Sequence, residues 1–84
     1  MFNYMENPEL QGNNLKKVRV ELGLTITALS KLANVSTKVI SQTERMLADP
    51  TRVTKSKIIN GLNAEKALTG EKCKFEDIFP NEAE

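Results

Sequence analysis

The stretch TITALSKLANVSTKVISQTER, residues 25–45, decides how the rest of the chain is read. Thr25 caps a helix in which Ala28, Leu29 and Leu32 share a face, and that helix stops at Ala33. Asn34 follows, a residue tolerant of the left-handed backbone that a tight turn needs. Ser36 is a second cap, and Val35 before it is placed to staple against Ile40 four residues into the next helix. A link of two or three residues suits two helices crossing at a steep angle. The outward face of the second helix, about residues 36–45, collects Thr37, Lys38, Ser41, Gln42 and Arg45 at spacings of three and four. Short hydroxyls and an amide, with little opposite charge among them, are groups that read a hydrogen-bonding surface.

Working outward, the same periodicity continues on both sides. Leu15, Val18 and Leu22 mark a first helix with Asn13 or Asn14 as its cap and Gly23 as its stop. Beyond Arg45, Asp49-Pro50 reads as a cap and first-turn pair opening a fourth helix on Val53, Ile58, Ile59 and Leu62. Gly61 interrupts that helix at a cost of about 1 kcal/mol; a hairpin at Asn60-Gly61 lacks the alternation that flanking strands require. The helix is expected to run on through Ala64, Ala67 and Leu68 to Gly70. A last turn, Phe75 to Phe79, puts Phe75, Ile78 and Phe79 on one side and is closed by Pro80. The expected fold is all-α, a compact bundle of about five short helices spanning residues 13–81. Residues 1–12 form an N-terminal arm and 82–84 a tail. Phe2, Tyr4 and Met5 in the arm either pack on the domain or a second subunit, or fray. Phe75, Ile78 and Phe79 either complete the core or face a dimer partner.

Composition narrows the chemistry. A chain of 84 residues, 39% hydrophobic and 27% charged, makes one small domain near the size at which a single core just suffices. Cys73 is its only cysteine, which suits a reducing compartment, and no apolar run is long enough for a membrane span or signal peptide. A cytoplasmic, soluble protein is expected. With no histidine and no clustered carboxylates in the middle of the chain, neither a metal site nor a nucleophile with an imidazole base can be assembled. Neither GxGxxG nor a Walker A pattern occurs, so no cofactor and no enzymatic activity are expected. Glu76 and Asp77 point in different directions on a short helix and read as a solvated cap rather than an acid/base pair. Cys73 between Lys72 and Lys74 reads as a bystander thiol in preference to a redox sensor.

The net charge of +1 hides an asymmetry. Residues 13–57 carry nine basic side chains against Glu21, Glu44 and Asp49, a net +6, while residues 1–12 carry −2 and residues 58–84 carry −3. A basic middle is the electrostatic footprint of a nucleic-acid surface, with a plain solvated face as the alternative.

Taken in order, NNLKKVRVELGLT, ITALSKLANVSTKVISQTER, the DP before the next helix and FEDIFPN resemble the Cro/repressor-type (XRE-like) helix-turn-helix domains of bacteria and their phages. The resemblance covers about Asn13 to Asn81. It implies a lambda-repressor-like fold in which the second helix braces a third, whose early residues enter the DNA major groove. Thr37, Lys38 and Gln42 match positions that commonly touch base edges, with Ser41 on the same surface. Lys16, Lys17, Thr25, Thr27 and Arg45 are the expected phosphate contacts. Val35 and Ile40 match buried positions, and Arg19 and Glu44 match a pair that in many members ties helix one to helix three. The chain departs from the family at several places. Ile26 replaces the Gln that grips a phosphate at the start of helix two, leaving the hydroxyls of Thr25 and Thr27 and the helix backbone to supply that contact. Ser30 stands for a usual Ala, Asn34 for Gly, Thr43 for a large apolar residue, Met46 for Gly and Lys55 for an apolar residue.

A face of Thr, Ser and Gln with a Lys and an Arg at its margins suits hydrogen bonding to base edges, while surrounding cations find phosphates. The expected function is that of a sequence-specific DNA-binding transcriptional regulator of bacterial or phage origin. It is expected to act as a homodimer on near-palindromic double-stranded DNA, with no membrane or small-molecule partner. The length leaves no room for a ligand-sensing domain, so repression by occupying promoter DNA is expected over effector-controlled activation. The alternative is a protein-interaction module or antitoxin-like partner of the same fold, suggested by Ile26 and the apolar Met46-Leu47 loop.

Overall fold

The order of elements in the computed structural model is α1 (Leu15–Glu21), α2 (Ile26–Ala33), α3 (Thr37–Glu44), α4 (Arg52–Lys66) and α5 (Phe75–Ile78), with no strand among the described residues. Those residues are 13–66 and 72–80. The arm at 1–12, the continuation of α4 through Ala67 and Leu68 to Gly70, Asn81 and the tail at 82–84 lie outside them. The fold is an all-α bundle of short helices, as the spacing of apolar residues implies.

The local signals around the turn act as capping chemistry requires. Thr25 Oγ1 accepts the Ala28 N–H at 2.9 Å and Ser36 Oγ accepts the Val39 N–H at 3.1 Å, each satisfying a donor that the first helical turn leaves open. Asn34 takes φ +59° and ψ +46° at the end of α2. The Ser30 hydroxyl then donates to the Val35 carbonyl at 2.6 Å, closing the turn from within α2. A serine at this position is therefore part of the turn rather than a small filler.

Of the two caps expected for α1, Asn13 is the one used: its Oδ1 accepts the Leu15 N–H at 3.1 Å, while the Asn14 side chain reaches away to α5. One helix start and two helix faces differ from expectation. Helix α4 begins at Arg52, with Thr51 Oγ1 accepting the Thr54 N–H at 3.3 Å, not at Asp49-Pro50. Asp49 is drawn off to bond Lys55 Nζ at 2.7 Å. On α4 itself Val53 is 67% exposed whereas Lys55 is 3% exposed, so the inner position belongs to the lysine. A long methylene stem buries well when its ammonium has a carboxylate and a ring to meet, and Lys55 Nζ also stands 5.1 Å over the Phe79 ring. On α2, Leu32 is 43% exposed; Leu29 and Ala33 carry the inward face.

The core joins Leu15, Leu29, Ala33, Ile40, Ile58, Ile59, Leu62, Cys73, Ile78 and Phe79, with Val18, Leu22, Leu24, Ile26, Val35 and Phe75 packed around it. Its tightest crossing explains Gly61. A Cβ there would stand 2.9 Å from both the Cβ and the backbone nitrogen of Ala33, closer than real Cβ contacts allow. The glycine that weakens α4 locally is what lets α2 lie against it.

The chain's early and late segments are tied by amides. Asn14 N–H donates to the Ile78 carbonyl at 2.8 Å and its Nδ2 to the Asp77 carbonyl at 2.8 Å. Asn63 holds the approach to α5, accepting the Cys73 N–H at 2.6 Å and donating to the Cys73 carbonyl at 3.1 Å. Asp77 Oδ2 accepts the Lys74 N–H at 2.9 Å, so the carboxylate at the start of α5 is a cap.

Candidate nucleic-acid interface

Helix α3 is eight residues long, and its inner side is short. Ile40 is fully buried and Thr43 nearly so, with Thr43 Oγ1 buried and without a hydrogen-bond partner. A valine at Thr43 would fill the same space with no polar atom to satisfy. The orientation of α3 therefore leans on polar contacts at its far end. Arg19 Nε donates to Glu44 Oε2 at 2.5 Å and Arg19 Nη2 to Glu44 Oε1 at 3.2 Å, a two-point fork. Arg19 Nη1 donates to the Leu24 carbonyl at 2.7 Å. The two side chains are 10% and 4% exposed, so the pair is buried between α1 and α3. Asn13 Nδ2 adds a bond to the Thr43 carbonyl at 3.0 Å and one to the Met46 sulfur at 3.2 Å. Met46 sits at φ +62°, a left-handed conformation that favours glycine.

The outer side of α3 is free of such ties. Thr37, Lys38 and Arg45 are exposed, and Ser41 and Gln42 are half-buried. None of these five side chains bonds another side chain or backbone group among the described residues. Their donors and acceptors are unspent. Lys16, Lys17 and Thr27 are exposed, and the exposed Thr25, whose oxygen caps α2, keeps its O–H to donate. Ile26 is half-buried and packs against the core, so the start of α2 presents hydroxyls and backbone N–H groups rather than a long polar side chain.

Burial sharpens the electrostatics. Within residues 13–57 the pairs Arg19–Glu44 and Lys55–Asp49 neutralise each other. The seven other cations, from Lys16 to Lys57, are all exposed and face only Glu21, so the net +6 is a surface charge.

No group of three or more metal-ligating side chains occurs among the described residues. Cys73 is buried, and desolvation raises its thiol above the ordinary value; nearby Lys66 pulls it down by less, and Asp77 adds to the rise. The flanking lysines do not activate it. No described helix is long and apolar enough to cross a membrane. Reasoning along the sequence found a cap in Asn13 or Asn14 but missed the long-range bonds of Asn13, Asn14 and Asn63, whose partners lie 10 to 63 residues away and leave no local pattern. It also counted Arg52 only as one more charge, although its guanidinium stacks on Phe75. Compared with protein-family models, with curated proteins and with solved structures, the chain matches none.

Proposed function

We propose that the chain is a sequence-specific DNA-binding regulator of transcription. In this reading α2 and α3 form a helix-turn-helix, and α3 lies in the major groove. The reading rests above all on the outer row of α3, where Thr37, Lys38, Ser41 and Gln42 hold unspent hydrogen-bonding groups on a surface of net positive charge. Gln42 can donate and accept at once, matching the N6 and N7 of adenine, while Lys38 only donates and suits guanine O6 and N7. Lys16, Lys17, Thr25, Thr27 and Arg45 take backbone phosphates, which position the helix without reading sequence. The protein works as a homodimer on a near-palindromic site and represses by occupying promoter DNA.

The test is to select duplexes from fragmented genomic DNA with the purified protein and measure affinity on the retained site. Gln42→Ala should cost about 1–3 kcal/mol there and flatten the preference at one base pair per half-site, leaving random DNA nearly unaffected. Failure to retard any duplex at low salt would remove the reading.

One observation favours a second reading. Met46 and Leu47, adjacent in the loop after α3, are 39% and 62% exposed, an apolar pair suited to a protein partner. A second protein co-purifying at fixed stoichiometry, with no DNA retardation, would establish an interaction module or antitoxin-like role instead.

A further inference from the structure

Arg52, the first residue of α4, lays its guanidinium over the Phe75 ring, with the central carbon 3.9 Å from the ring centroid. The ring is itself held. Phe75 stacks at a tilt on Phe79, centroids 5.5 Å apart, and Phe79 is in the core. Arg52 is exposed, and among the described residues the ring is its one partner; no carboxylate or carbonyl takes its N–H groups. This sets it apart from the two buried cations, Arg19 and Lys55, each of which meets a carboxylate. A guanidinium whose central carbon lies 3.9 Å from a ring centroid is close enough to stack on it, and a stacked guanidinium holds its five N–H donors in its own plane, clear of the ring face. Stacking also removes much of the rotational freedom that a surface arginine loses when it binds.

We infer that Arg52 is a phosphate anchor, a fork set in advance by Phe75 to take one backbone phosphate of DNA through two N–H groups. The inference rests on the DNA-binding reading above and adds a contact to it. Phosphate is the fitting oxyanion because Arg52 lies in the segment of net +6, a short loop beyond Arg45 at the end of α3. Phe75 is a positioning residue: it touches the arginine and not the DNA.

The experiment measures affinity of the full chain against salt concentration, on the duplex retained from the genomic pool and on a random duplex of equal length. Arg52→Ala should lower the log–log salt slope by about 0.9, the share of one neutralised phosphate, and weaken both duplexes alike. Arg52→Lys keeps the charge but not the flat stack; it should keep the slope and lose roughly 2- to 12-fold in affinity, the worth of ordering one long side chain. Phe75→Leu should behave like Arg52→Lys, and thermal melts show whether each variant is folded at the temperature of the assay. Because Arg52 is exposed, its two variants decide the matter even if Phe75→Leu unfolds. An unchanged slope in Arg52→Ala, or wild-type affinity in Arg52→Lys, would assign the stack to holding α5 alone. No retardation by the wild-type chain at low salt would remove the DNA reading and this anchor together, whereas retardation with a slope indifferent to Arg52 removes only the anchor.

Discussion

Removing Glu44 alone should be among the most damaging single changes to this chain. The carboxylate is 4% exposed at its side chain and takes two N–H groups of Arg19; without it the buried guanidinium keeps only the Leu24 carbonyl. Breaking one side of a buried pair costs about 3–5 kcal/mol, chiefly because the other charge stays buried and unpaired. A domain of 84 residues has roughly 4–13 kcal/mol to lose. At about 4–8 °C per kcal/mol, Glu44→Leu should lower the melting temperature by at least about 12 °C, or leave the chain unfolded. Arg19→Met should fall in the same range. The double variant, apolar on both sides, should be more stable than either single one and near or above wild type, since a well-packed apolar replacement removes both desolvation penalties. Urea unfolding followed by far-ultraviolet circular dichroism on the four proteins gives the cycle. A cost below about 1 kcal/mol for Glu44→Leu, the range of exposed pairs, would refute the reasoning. So would a double variant whose loss equals the sum of the single losses.

Gly61→Ala should destabilise the fold by about 1–3 kcal/mol in urea, although alanine is the better helix former by roughly 1 kcal/mol, because the new methyl meets Ala33. A gain in stability would mean that α2 and α4 do not approach as closely as described. Thr43→Val keeps the shape and removes a buried hydroxyl without a partner, so it should raise stability by about 1 kcal/mol; a loss would show that the hydroxyl is satisfied. Cys73 ionises less readily in the folded chain than in the unfolded one, so its contribution is fully present below the unfolded thiol's range, about pH 8.5, and is lost as pH rises above it. The urea midpoint of wild type should therefore fall more steeply with alkaline pH than that of Cys73→Ala, and parallel curves would count against it.

What the sequence makes legible is what capping and periodicity settle within a turn or two of helix. Thr25, Asn34 and Ser36 act on donors three residues away or on their own backbone, so the α2 to α3 step is readable directly. The start of α4 is not, because Asp49 and Thr51 are both competent caps. The choice falls to Thr51 once Lys55, six residues after Asp49, claims the carboxylate. The inner position of Lys55 and the outer one of Val53 reverse the hydropathy pattern for the same reason: a charge is tolerated where a partner arrives from another element. Gly61 is visible as a local weakness, while its use depends on Ala33, 28 residues earlier. On the candidate interface, the shared face of Thr37, Lys38, Ser41 and Gln42 follows from helical spacing. The unspent state of those groups depends on what the rest of the fold does not place beside them, and the pose of Arg52 on the Phe75 ring that it does.

The bond from the Asn14 N–H to the Ile78 carbonyl brings the first and last described helices to a common corner. Domains whose first and last packed helices meet in this way accept insertion into a host loop and reconnection in a new order, because neither operation stretches the packed interior. A short bridge across that corner would make the fold a closed ring, and fresh ends opened in the Met46 to Pro50 loop would then leave α2 and α3 as neighbours in one continuous run. The helices would keep their places while the chain began somewhere else, making the position of the break, rather than the order of assembly, the variable open to an engineer.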